Sequence, residues 1–425
     1  MIMNKLYSDA DIIVRRAIEA NMPQAAVRNA LEGRVFTKNL YLVAIGKAAW
    51  NMANAACTAL GSQIKKGIVI TKYEHCLGEI PNMEIIEAGH PLSDDNTILG
   101  TQKAIELAKS LTAEDELLFL ISGGGSALFE APLPGISLED IVDINSQLLA
   151  CGADIVEINM IRKRLSGVKA GRFAGLAKPA SVFTVVLSDV LGDRLDSIAS
   201  GPAFPDMSTT EDAQAVIDKY GLKLTAAMKT QLKQETPKKV DNVESVITGS
   251  VRTLCNDTAK IAAELGYTPH ILCSGMNCEA REAGRLMASV ARQVGDGGSC
   301  GEGDGGYSFK RPCAIILGGE TVVHLKGKGK GGRNQELALA AAEGIAGMRD
   351  TLLFSFGSDG TDGPTDAAGG MVDGNTMAQL KAKGLNVNKI LDDNDAYHGL
   401  KAIDRLIMTG PTGTNVNDVA VILCK

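Results

Sequence analysis

The stretch LLFLISGGGSA, residues 117–127, places a run of five apolar residues directly before a serine and three consecutive glycines. An apolar run that ends in glycines and passes into a helix-like segment is typical of a strand-to-helix junction in a parallel sheet. Similar junctions follow the apolar runs Tyr41–Ile45, Phe183–Leu187 and Leu352–Phe356. Because ligands bind at the carboxyl ends of the strands in such sheets, these junctions predict the functional site.

The composition limits the class of protein. A chain of 425 residues with 45% hydrophobic content predicts two domains with substantial cores. The net charge of −7 predicts neither nucleic acid nor an anionic membrane as a partner. No apolar run approaches the roughly 18 residues that a membrane span needs, and the N-terminus lacks the apolar core of a signal peptide. Nine scattered cysteines without a CxxC pair indicate reduced thiols and a cytoplasmic protein.

Apolar runs and helical patterns alternate along the first half of the chain, which predicts an α/β fold with a doubly wound, mostly parallel sheet. A polar stretch that ends near residue 240 marks the expected domain boundary, so the predicted domains are 1–240 and a smaller α/β domain at 241–425. In the second domain, Ala314–Leu317 and Thr321–Leu325 are predicted strands, and the glycine-rich segment Gly295–Gly306 is a predicted surface loop.

Lys47 follows the first of these strands and stands at the start of a predicted helix. The positive end of the helix dipole repels a cation there, at a cost of several tenths of a kcal/mol. An anionic ligand at the same place would offset that cost, whereas an exposed lysine would simply turn into water. The position at a strand end favours the functional interpretation.

The segment Ser122–Ala127 is the predicted phosphate cradle. Three glycines, Gly123, Gly124 and Gly125, let backbone N–H groups converge on an anion, and the hydroxyls of Ser122 and Ser126 can cap or bind it. A tight strand-to-helix turn, the alternative interpretation, explains one glycine easily and three less well. The chain contains no GxxxxGK[ST] motif, so this is not a Walker A loop.

The segment Gly327–Gly332 matches GxGxxG and raises a dinucleotide-binding alternative. Against it, the loop carries several lysines, and no acidic residue ends a strand about 20 positions later. A basic lid over polyphosphate, or a solvated lysine hairpin, are the other interpretations. Arg333, at the start of the following helix, is the cation best placed for a bidentate contact.

Carboxylates follow two of the predicted strands. Asp189 and Asp193 follow one, and Asp359, Asp362 and Asp366 follow the other. Such carboxylates can hold Mg²⁺ or accept the proton of an attacking hydroxyl, although each alone is more often a turn former or a helix cap. With five histidines and none paired at metal spacing, a zinc or iron centre is not predicted.

Four more polar side chains and one histidine lie in glycine-rich segments. They are Glu320, Thr412, Asn415, Asp359 and His90. All but His90 are candidate substrate- or phosphate-binding residues, and His90 is a weaker candidate.

Together these segments resemble the glycerate 2-kinase family, whose C-terminal half is called the MOFRL domain. The matching segments run in order through nearly the whole chain: Gly46–Ala48, Gly89–Pro91, Ser122–Ala127, Lys163–Gly171, Leu187–Asp193, Gly318–Thr321, Gly331–Glu336, Ser358–Gly363 and Gly410–Asn415. The resemblance implies a Rossmann-like N-terminal domain and a smaller MOFRL-like C-terminal α/β domain. It also implies ATP- and Mg²⁺-dependent phosphorylation of D-glycerate at its 2-hydroxyl, and it aligns the family's essential basic residues with Lys47 and Arg333.

On this hypothesis the cradle binds anionic oxygens, while Lys47 and Arg333 offset charge on the γ-phosphoryl group or on the substrate carboxylate. Asp189 ligates Mg²⁺ or acts as the base, and Asp193 supports it as a second metal ligand. Two rivals stay open: an NAD(P)H-dependent hydroxypyruvate reductase, and a non-catalytic sensor of sugar phosphates or nucleotides. The sequence carries no heptad or patch that fixes an oligomeric state, and a homo-oligomer is compatible with it.

Overall fold

A computed structural model describes residues 2–188, 192, 194–295 and 309–425. The chain divides into two units. The first unit is Pro23–Thr248, and the second unit combines Met1–Met22 with Gly249–Lys425. Helices and strands are numbered below along the whole chain.

The first unit is built around one sheet. Its strands are β1 (Asn39–Ile45), β2 (Ile64–Lys72), β3 (Met83–Ala88), β4 (Asp115–Ile121), β5 (Ser181–Leu187) and β6 (Val243–Gly249). Its helices are α2 (Pro23–Leu31), α3 (Ala49–Leu60), α4 (Asp95–Ser110), α5 (Gly125–Leu128), α6 (Leu138–Ala150), α7 (Ile155–Leu165), α8 (Arg172–Leu176), α9 (Thr210–Tyr220) and α10 (Ala226–Leu232).

The strand order of this sheet is β3-β2-β1-β4-β5-β6. The pairs β1·β2, β1·β4, β2·β3 and β4·β5 are all parallel. This is the order of a doubly wound Rossmann-type sheet, and its direction of winding reverses between β1 and β4. The predicted fold class is confirmed, and the reversal point coincides with the two strands that precede Lys47 and the glycine-rich segment.

The core of the first unit holds the cradle segment in place. Phe119 of β4, Phe129 just after α5 and Phe173 of α8 form an aromatic cluster, with ring centroids 4.8 Å apart for Phe119–Phe173 and 4.9 Å for Phe129–Phe173. All three rings are fully buried. Burying each contributes about 1.5–3 kcal/mol, and aromatic pairing adds about 0.5–1.5 kcal/mol. The short helix α5 is therefore packed firmly against the sheet.

The second unit contains a mixed sheet. Its strands are β7 (Thr268–Met276), β8 (Cys313–Gly319), β9 (Thr351–Gly357), β10 (Gly369–Asp373), β11 (Leu406–Ile407) and β12 (Asp418–Cys424), in the order β11-β10-β9-β12-β8-β7. Its helices are α1 (Ile2–Ala20), α11 (Val251–Glu264), α12 (Ala280–Gly295), α13 (Arg333–Ala341), α14 (Thr376–Ala382), α15 (Val387–Asp392) and α16 (Ala396–Ala402). The last strand, β12, runs antiparallel to both of its neighbours, β8 and β9. This places the start of β12 at the same edge as the ends of β8 and β9.

The two units divide the chain differently from the expected domains, 1–240 and 241–425. Helix α1 belongs to the second unit, where Tyr267 donates a hydrogen bond to Asp9 at 2.7 Å and Tyr7 donates one to Asp373 at 2.8 Å. Strand β6 is the edge strand of the first sheet. Both differences arise from contacts over long sequence distances. Within the described ranges, no helix is long and apolar enough to cross a membrane.

Candidate active site

The carboxyl ends of β1 and β4 are joined by hydrogen bonds. Ile45 and Ile121 end these strands and lie opposite each other. Beyond them, the backbone N–H of Lys47 donates to the carbonyl oxygen of Gly123 at 2.8 Å, and the N–H of Ala48 donates to Ser122 Oγ at 3.1 Å. The two strand-to-helix junctions therefore form one structure at the reversal point of the sheet.

The side chain of Ser122 is used within this structure. Its hydroxyl donates to the carbonyl oxygen of Ile45 at 3.2 Å while its oxygen accepts from Ala48, and only 1% of the residue is exposed. The predicted role of Ser122 as a ligand for phosphate therefore needs correction at the level of its side chain. The hydroxyl ties β1 to β4, because it is buried and its proton is already donated.

The backbone of the cradle segment presents unused donors. The N–H groups of Gly123, Gly124, Gly125 and Ser126 donate to no residue in the described part of the chain. From Ala127 onward the N–H groups return to carbonyl oxygens of Gly124 and Gly125, at 3.0–3.2 Å. Successive free N–H groups around a tight turn form a concavity that suits an anion. The use of this concavity as a phosphate site stays a prediction.

Lys47 and His90 both lie against this turn. A Cβ atom on Gly124, which has φ +85°, would stand 3.1 Å from Lys47 Cγ and 3.0 Å from His90 Cδ2. A Cβ atom at these distances would be crowded and the positive φ would strain any other residue, so glycine permits the close approach. The Lys47 side chain forms no ion pair within the described ranges.

His90 is held in its neutral form. Burial lowers the pKa of its imidazole, and the charges of Lys47, Lys72 and His75 lower it further. His75 adds to the cluster through its Nδ1, which lies 3.0 Å from the carbonyl oxygen of Lys47. At neutral pH, a neutral His90 can donate or accept a single hydrogen bond next to the lysines.

A buried lysine forms hydrogen bonds to the backbone of the cradle segment. Lys169 Nζ donates to the carbonyl oxygens of Ser126 and Phe129 at 3.0 and 2.8 Å, and it pairs with Glu130 at 3.1 Å. Its three acceptors match the three protons of an ammonium group. Burial lowers the pKa of Lys169, while the Glu130 carboxylate opposes that shift. The lysine fixes the carbonyl ends of α5 and so fixes the direction of the free N–H groups.

In the second unit, Arg333 forms the centre of a charged cluster. Its Nε and Nη2 donate to the two carboxylate oxygens of Asp418 at 2.5 and 3.1 Å, and its Nη1 donates to Glu320 Oε1 at 2.8 Å. Burial by itself lowers the pKa of Arg333, but the hydrogen bonds and charge of Asp418 outweigh it and raise the pKa. Asp418 opens β12 directly opposite Gly319 and Gly357, where β8 and β9 end.

Asp362 caps the helix that carries Arg333. Its carboxylate accepts the backbone N–H groups of Asn334 and Gln335 at 3.1 and 2.9 Å. Burial raises the pKa of Asp362 to about 6, although these hydrogen bonds and the charge of Arg333 oppose the shift. Asp366, the last of the predicted carboxylates here, accepts a hydrogen bond from Tyr397 at 2.7 Å.

The other predicted binding residues of the second unit form the turns at this edge. Asp359 accepts the N–H of Thr361 at 3.0 Å, and Thr412 donates its hydroxyl proton to the carbonyl oxygen of Ser358 at 2.6 Å. Asn415 accepts the N–H of Asn417 at 3.2 Å. All three predicted residues are partly exposed, so they shape the surface beside the Arg333 cluster.

The lysine-rich loop after β8 is anchored. The backbone N–H groups of residues 326–330 donate to Asp393, Asn394 and Asp395 at 2.7–3.0 Å. These groups are therefore not available to a pyrophosphate. The GxGxxG match therefore has no dinucleotide-binding geometry.

Comparison with known proteins agrees with this architecture. Two family models match: Domain of unknown function (DUF4147) at residues 9–233 and the MOFRL family at 313–418. The D-glycerate 2-kinase of Thermotoga maritima is 51% identical over 96% of both chains, and the glycerate 2-kinase of Pyrococcus horikoshii is 37% identical over 97% of this chain and 96% of that one. This chain belongs to the glycerate 2-kinase family.

The crystal structure of the glycerate kinase of Thermotoga maritima has the same fold, with a TM-score of 0.94, 50% identity, and coverage of 99% of this chain and 100% of that chain. The family assignment predicted from the motifs is thereby confirmed, as is the α/β class with a MOFRL domain.

The predicted site residues fall into three groups. Lys47 and the segment 122–126 come together in the first unit. Arg333 and Glu320 come together in the second unit, beside the turns of Asp359, Thr412 and Asn415. The predicted metal ligands and base, Asp189 and Asp193, lie outside the described residues. Among the described residues, no three His, Cys, Asp or Glu side chains are grouped to hold a metal ion.

Four residues of these clusters were not predicted as functional: Lys72, His75, Lys169 and Asp418. Lys72 ends β2 as Lys47 follows β1, so a lysine that closely follows an apolar run is the signal that could have revealed it. Asp418 stands directly before the last apolar run, and a carboxylate at that place is a detectable signal. The buried position of Lys169 has no local signature.

Proposed function

We propose that this chain is a kinase that transfers the γ-phosphoryl group of ATP to the 2-hydroxyl of D-glycerate, forming 2-phosphoglycerate and ADP. The observation that carries the proposal is that four successive backbone N–H groups of the cradle, and the side chain of the adjacent Lys47, have no partner among the residues that the structure describes. Identity of 51% to a D-glycerate 2-kinase supports the choice of substrate.

The cradle and Lys47 would stabilise negative charge. Phosphoryl transfer depends mainly on positioning and on neutralising the transferring group. The N–H groups of residues 123–126 are fixed before any ligand binds, because Lys169 and the aromatic cluster hold α5 in place. Fixed donors cost no reorganisation during the reaction, and removing one such donor typically lowers kcat by roughly 10²- to 10³-fold.

Arg333 would contact an anionic group of the substrates. Asp418 is 5% exposed and holds two nitrogens of the guanidinium, so it fixes the plane of that group. Glu320 holds the third nitrogen, and 42% of its side chain is exposed. An incoming carboxylate or phosphate would replace Glu320 more readily than Asp418, because the exposed partner moves away into water at little cost.

Mg²⁺ is proposed as the companion of ATP, whose phosphate charge it neutralises when bound. Asp189 and Asp193 remain the proposed ligands, with Asp189 also the proposed base. The small-molecule substrates, together with scattered cysteines that form no CxxC pair, support a site of action in the cytoplasm.

The test is turnover of D-glycerate by the purified chain with ATP and Mg²⁺. ADP is measured directly, and the product is offered to enolase with no phosphoglycerate mutase present. Formation of ADP together with an enolase signal is the expected result. ADP without an enolase signal would contradict the 2-hydroxyl assignment, and a folded sample that forms no ADP with D-glycerate would contradict the kinase proposal.

A further inference from the structure

A chain of hydrogen bonds leads from the cradle into the interior of the first unit. Ser126 Oγ lies 3.0 Å from Ser200 Oγ, and Ser200 Oγ donates to Asn159 Oδ1 at 2.9 Å. Ser200 is fully buried and Asn159 is 2% exposed, whereas Ser126 is partly exposed at the surface of the cradle. The chain therefore connects a surface hydroxyl to an amide that lies inside the protein.

The direction of this chain follows from the number of protons. A serine hydroxyl has one proton, and with the Asn159 amide oriented as in the structure, the Ser200 proton goes to Asn159 Oδ1, while Asn159 Nδ2 is buried without a partner among the described residues. Ser200 can then only accept from Ser126, so the Ser126 proton points inward. The lone pairs that remain on Ser126 Oγ face outward and can accept a hydrogen bond but cannot donate one.

The turn that carries Ser200 is built at a conformational cost. Ala199, Ser200 and Gly201 all have positive φ angles, at 51°, 59° and 66°. Left-handed backbone at two non-glycine residues is strained and is found mainly at functional sites. Two hydrogen bonds hold the turn in place. The N–H of Ala170 donates to the carbonyl oxygen of Ser200 at 3.2 Å, and the N–H of Gly171 donates to the carbonyl oxygen of Gly201 at 2.7 Å.

Gly125 of the cradle packs directly against Ala199 of this turn. A Cβ atom on Gly125 would lie 2.7 Å from the Cβ of Ala199. Only glycine at position 125 lets Ser126 reach Ser200. The arrangement of glycine, strained turn and buried amide therefore sets the orientation of one hydroxyl.

We propose that Ser126 Oγ accepts a hydrogen bond from a hydroxyl of the hydroxy-acid substrate, and that Asn159, acting through Ser200, is the positioning residue that makes it an acceptor. The identity of the substrate rests on the proposed function. Anionic oxygens then belong on the N–H groups of the cradle, because the outward lone pairs of Ser126 repel them. The chain ends on an amide, which takes up no proton, so Ser126 orients the hydroxyl without deprotonating it.

The proposal is tested with analogues that each lack one hydroxyl of D-glycerate. D-Lactate lacks the 3-hydroxyl and 3-hydroxypropionate lacks the 2-hydroxyl. Dissociation constants for all three acids are measured with the wild-type chain and with the Asn159→Leu and Ser200→Ala variants. A site that hydrogen-bonds a hydroxyl disfavours the analogue that lacks it, by roughly 5- to 10-fold for one neutral hydrogen bond. The wild type is expected to bind D-glycerate more tightly than the analogue that lacks this hydroxyl. Both variants are expected to lose that preference for D-glycerate over one of the two analogues, while the KM for ATP stays the same.

Further variants separate positioning from folding. Asn159→Asp keeps an acceptor oxygen, so it should retain the preference. Ser126→Ala combined with Ser200→Ala should lose no more than either single variant, because the two serines act in one chain. The matched control is Thr184→Val, in which a fully buried hydroxyl without a partner among the described residues is removed from β5.

Each outcome decides a point. If folded Asn159→Leu or Ser200→Ala shows the same ratios of dissociation constants for the three acids as the wild type, the inference is overturned. The kinase proposal then still stands, provided that the wild type forms ADP. If Asn159→Leu does not fold, Ser200→Ala carries the test. If the wild type neither forms ADP nor binds D-glycerate, the proposed function fails and this inference fails with it.

Discussion

The carboxylate of Asp418 holds the guanidinium of Arg333 at two nitrogens, with Nε–Oδ2 and Nη2–Oδ1 distances of 2.5 and 3.1 Å. This pair joins the first residue of α13 to the first residue of β12, which are 85 positions apart. A planar guanidinium that is hydrogen-bonded at two nitrogens has a fixed orientation. A lysine ammonium at the same position would have no such fixed plane.

Replacing Arg333 by lysine should therefore impair catalysis although the charge is kept. We expect Arg333→Lys to lower kcat/KM for D-glycerate by roughly 10²-fold or more, as for the loss of an oriented donor. Steady-state kinetics with varied D-glycerate measures this effect. The matched control is Arg15→Lys, because Arg15 is an exposed arginine of the same unit whose ion pair in the described part of the chain is with the exposed Asp11. Equal activity of Arg333→Lys and the control would contradict a fixed bidentate role.

Removing the ammonium of Lys47 should affect the reaction but not the fold. Lys47 forms no ion pair within the described chain, so Lys47→Ala should leave the midpoint of urea unfolding almost unchanged. We expect kcat to fall by roughly 10²- to 10³-fold, because a charge at the cradle is lost. Lys66→Ala, at an exposed position on β2, is the control. Normal turnover by Lys47→Ala would remove Lys47 from the proposed mechanism.

The parallel sheet and its loops were predictable because the evidence for them is local. Central strands of a parallel sheet are buried on both faces and so form continuous apolar runs, as in β4. Helix starts carry polar caps: Ser137 caps α6 and Asp94 caps α4, each directly before the first residue of its helix. The cradle glycines were recognisable for the same reason, because three consecutive glycines after an apolar run are visible in the local sequence.

Long-range contacts were not predictable from local patterns. The predicted strand Thr321–Leu325 is wrong: apart from Val322, which bridges to Glu279, the segment pairs with no strand of the described sheets. Its alternation of apolar and polar residues resembles an edge strand, but the backbone pairing that the structure describes for it is confined to Val322, which bonds with Cys278 and Ala280. The pairing of Arg333 with Asp418 likewise depends on the insertion of β12 between β8 and β9. Nor does the sequence show that the Ser122 hydroxyl would donate its hydrogen bond to the carbonyl oxygen of Ile45.

The buried carboxyl of Asp362 should make stability depend on pH. Burial raises its pKa from 3.8 to about 6 in the folded chain. Between pH 4 and 6 the unfolded chain ionises this group while the folded chain keeps it protonated, so its contribution lowers the free energy of unfolding as the pH rises. Above pH 6 the loss is constant, at about 2–3 kcal/mol at most.

The measurement compares urea unfolding of the wild type and Asp362→Asn at several pH values from 4 to 7. Asparagine does not ionise but keeps an oxygen that can cap α13. We expect the variant to gain stability relative to the wild type as the pH rises through this range. A difference that stays constant with pH, or that changes in the opposite direction, would contradict the raised pKa of Asp362.

The buried pair of Lys169 and Glu130 should determine whether the cradle holds its shape. Lys169→Met leaves the Glu130 carboxylate, which is 2% exposed, without its cation. An uncompensated buried charge costs about 3–5 kcal/mol, so we expect a large fall in the free energy of unfolding. Adding Glu130→Gln should recover part of that stability, because the unpaired charge is then removed as well.

Activity should not recover in the double variant. The carbonyl oxygens of Ser126 and Phe129 still lack the donor that fixed them at 3.0 and 2.8 Å, so the free N–H groups of the cradle lose their fixed direction. We therefore expect Lys169→Met combined with Glu130→Gln to show partly recovered stability and a kcat that stays low. Urea unfolding and steady-state kinetics on the same samples separate the two effects. If activity returns together with stability, Lys169 contributes only to the core and does not position the cradle.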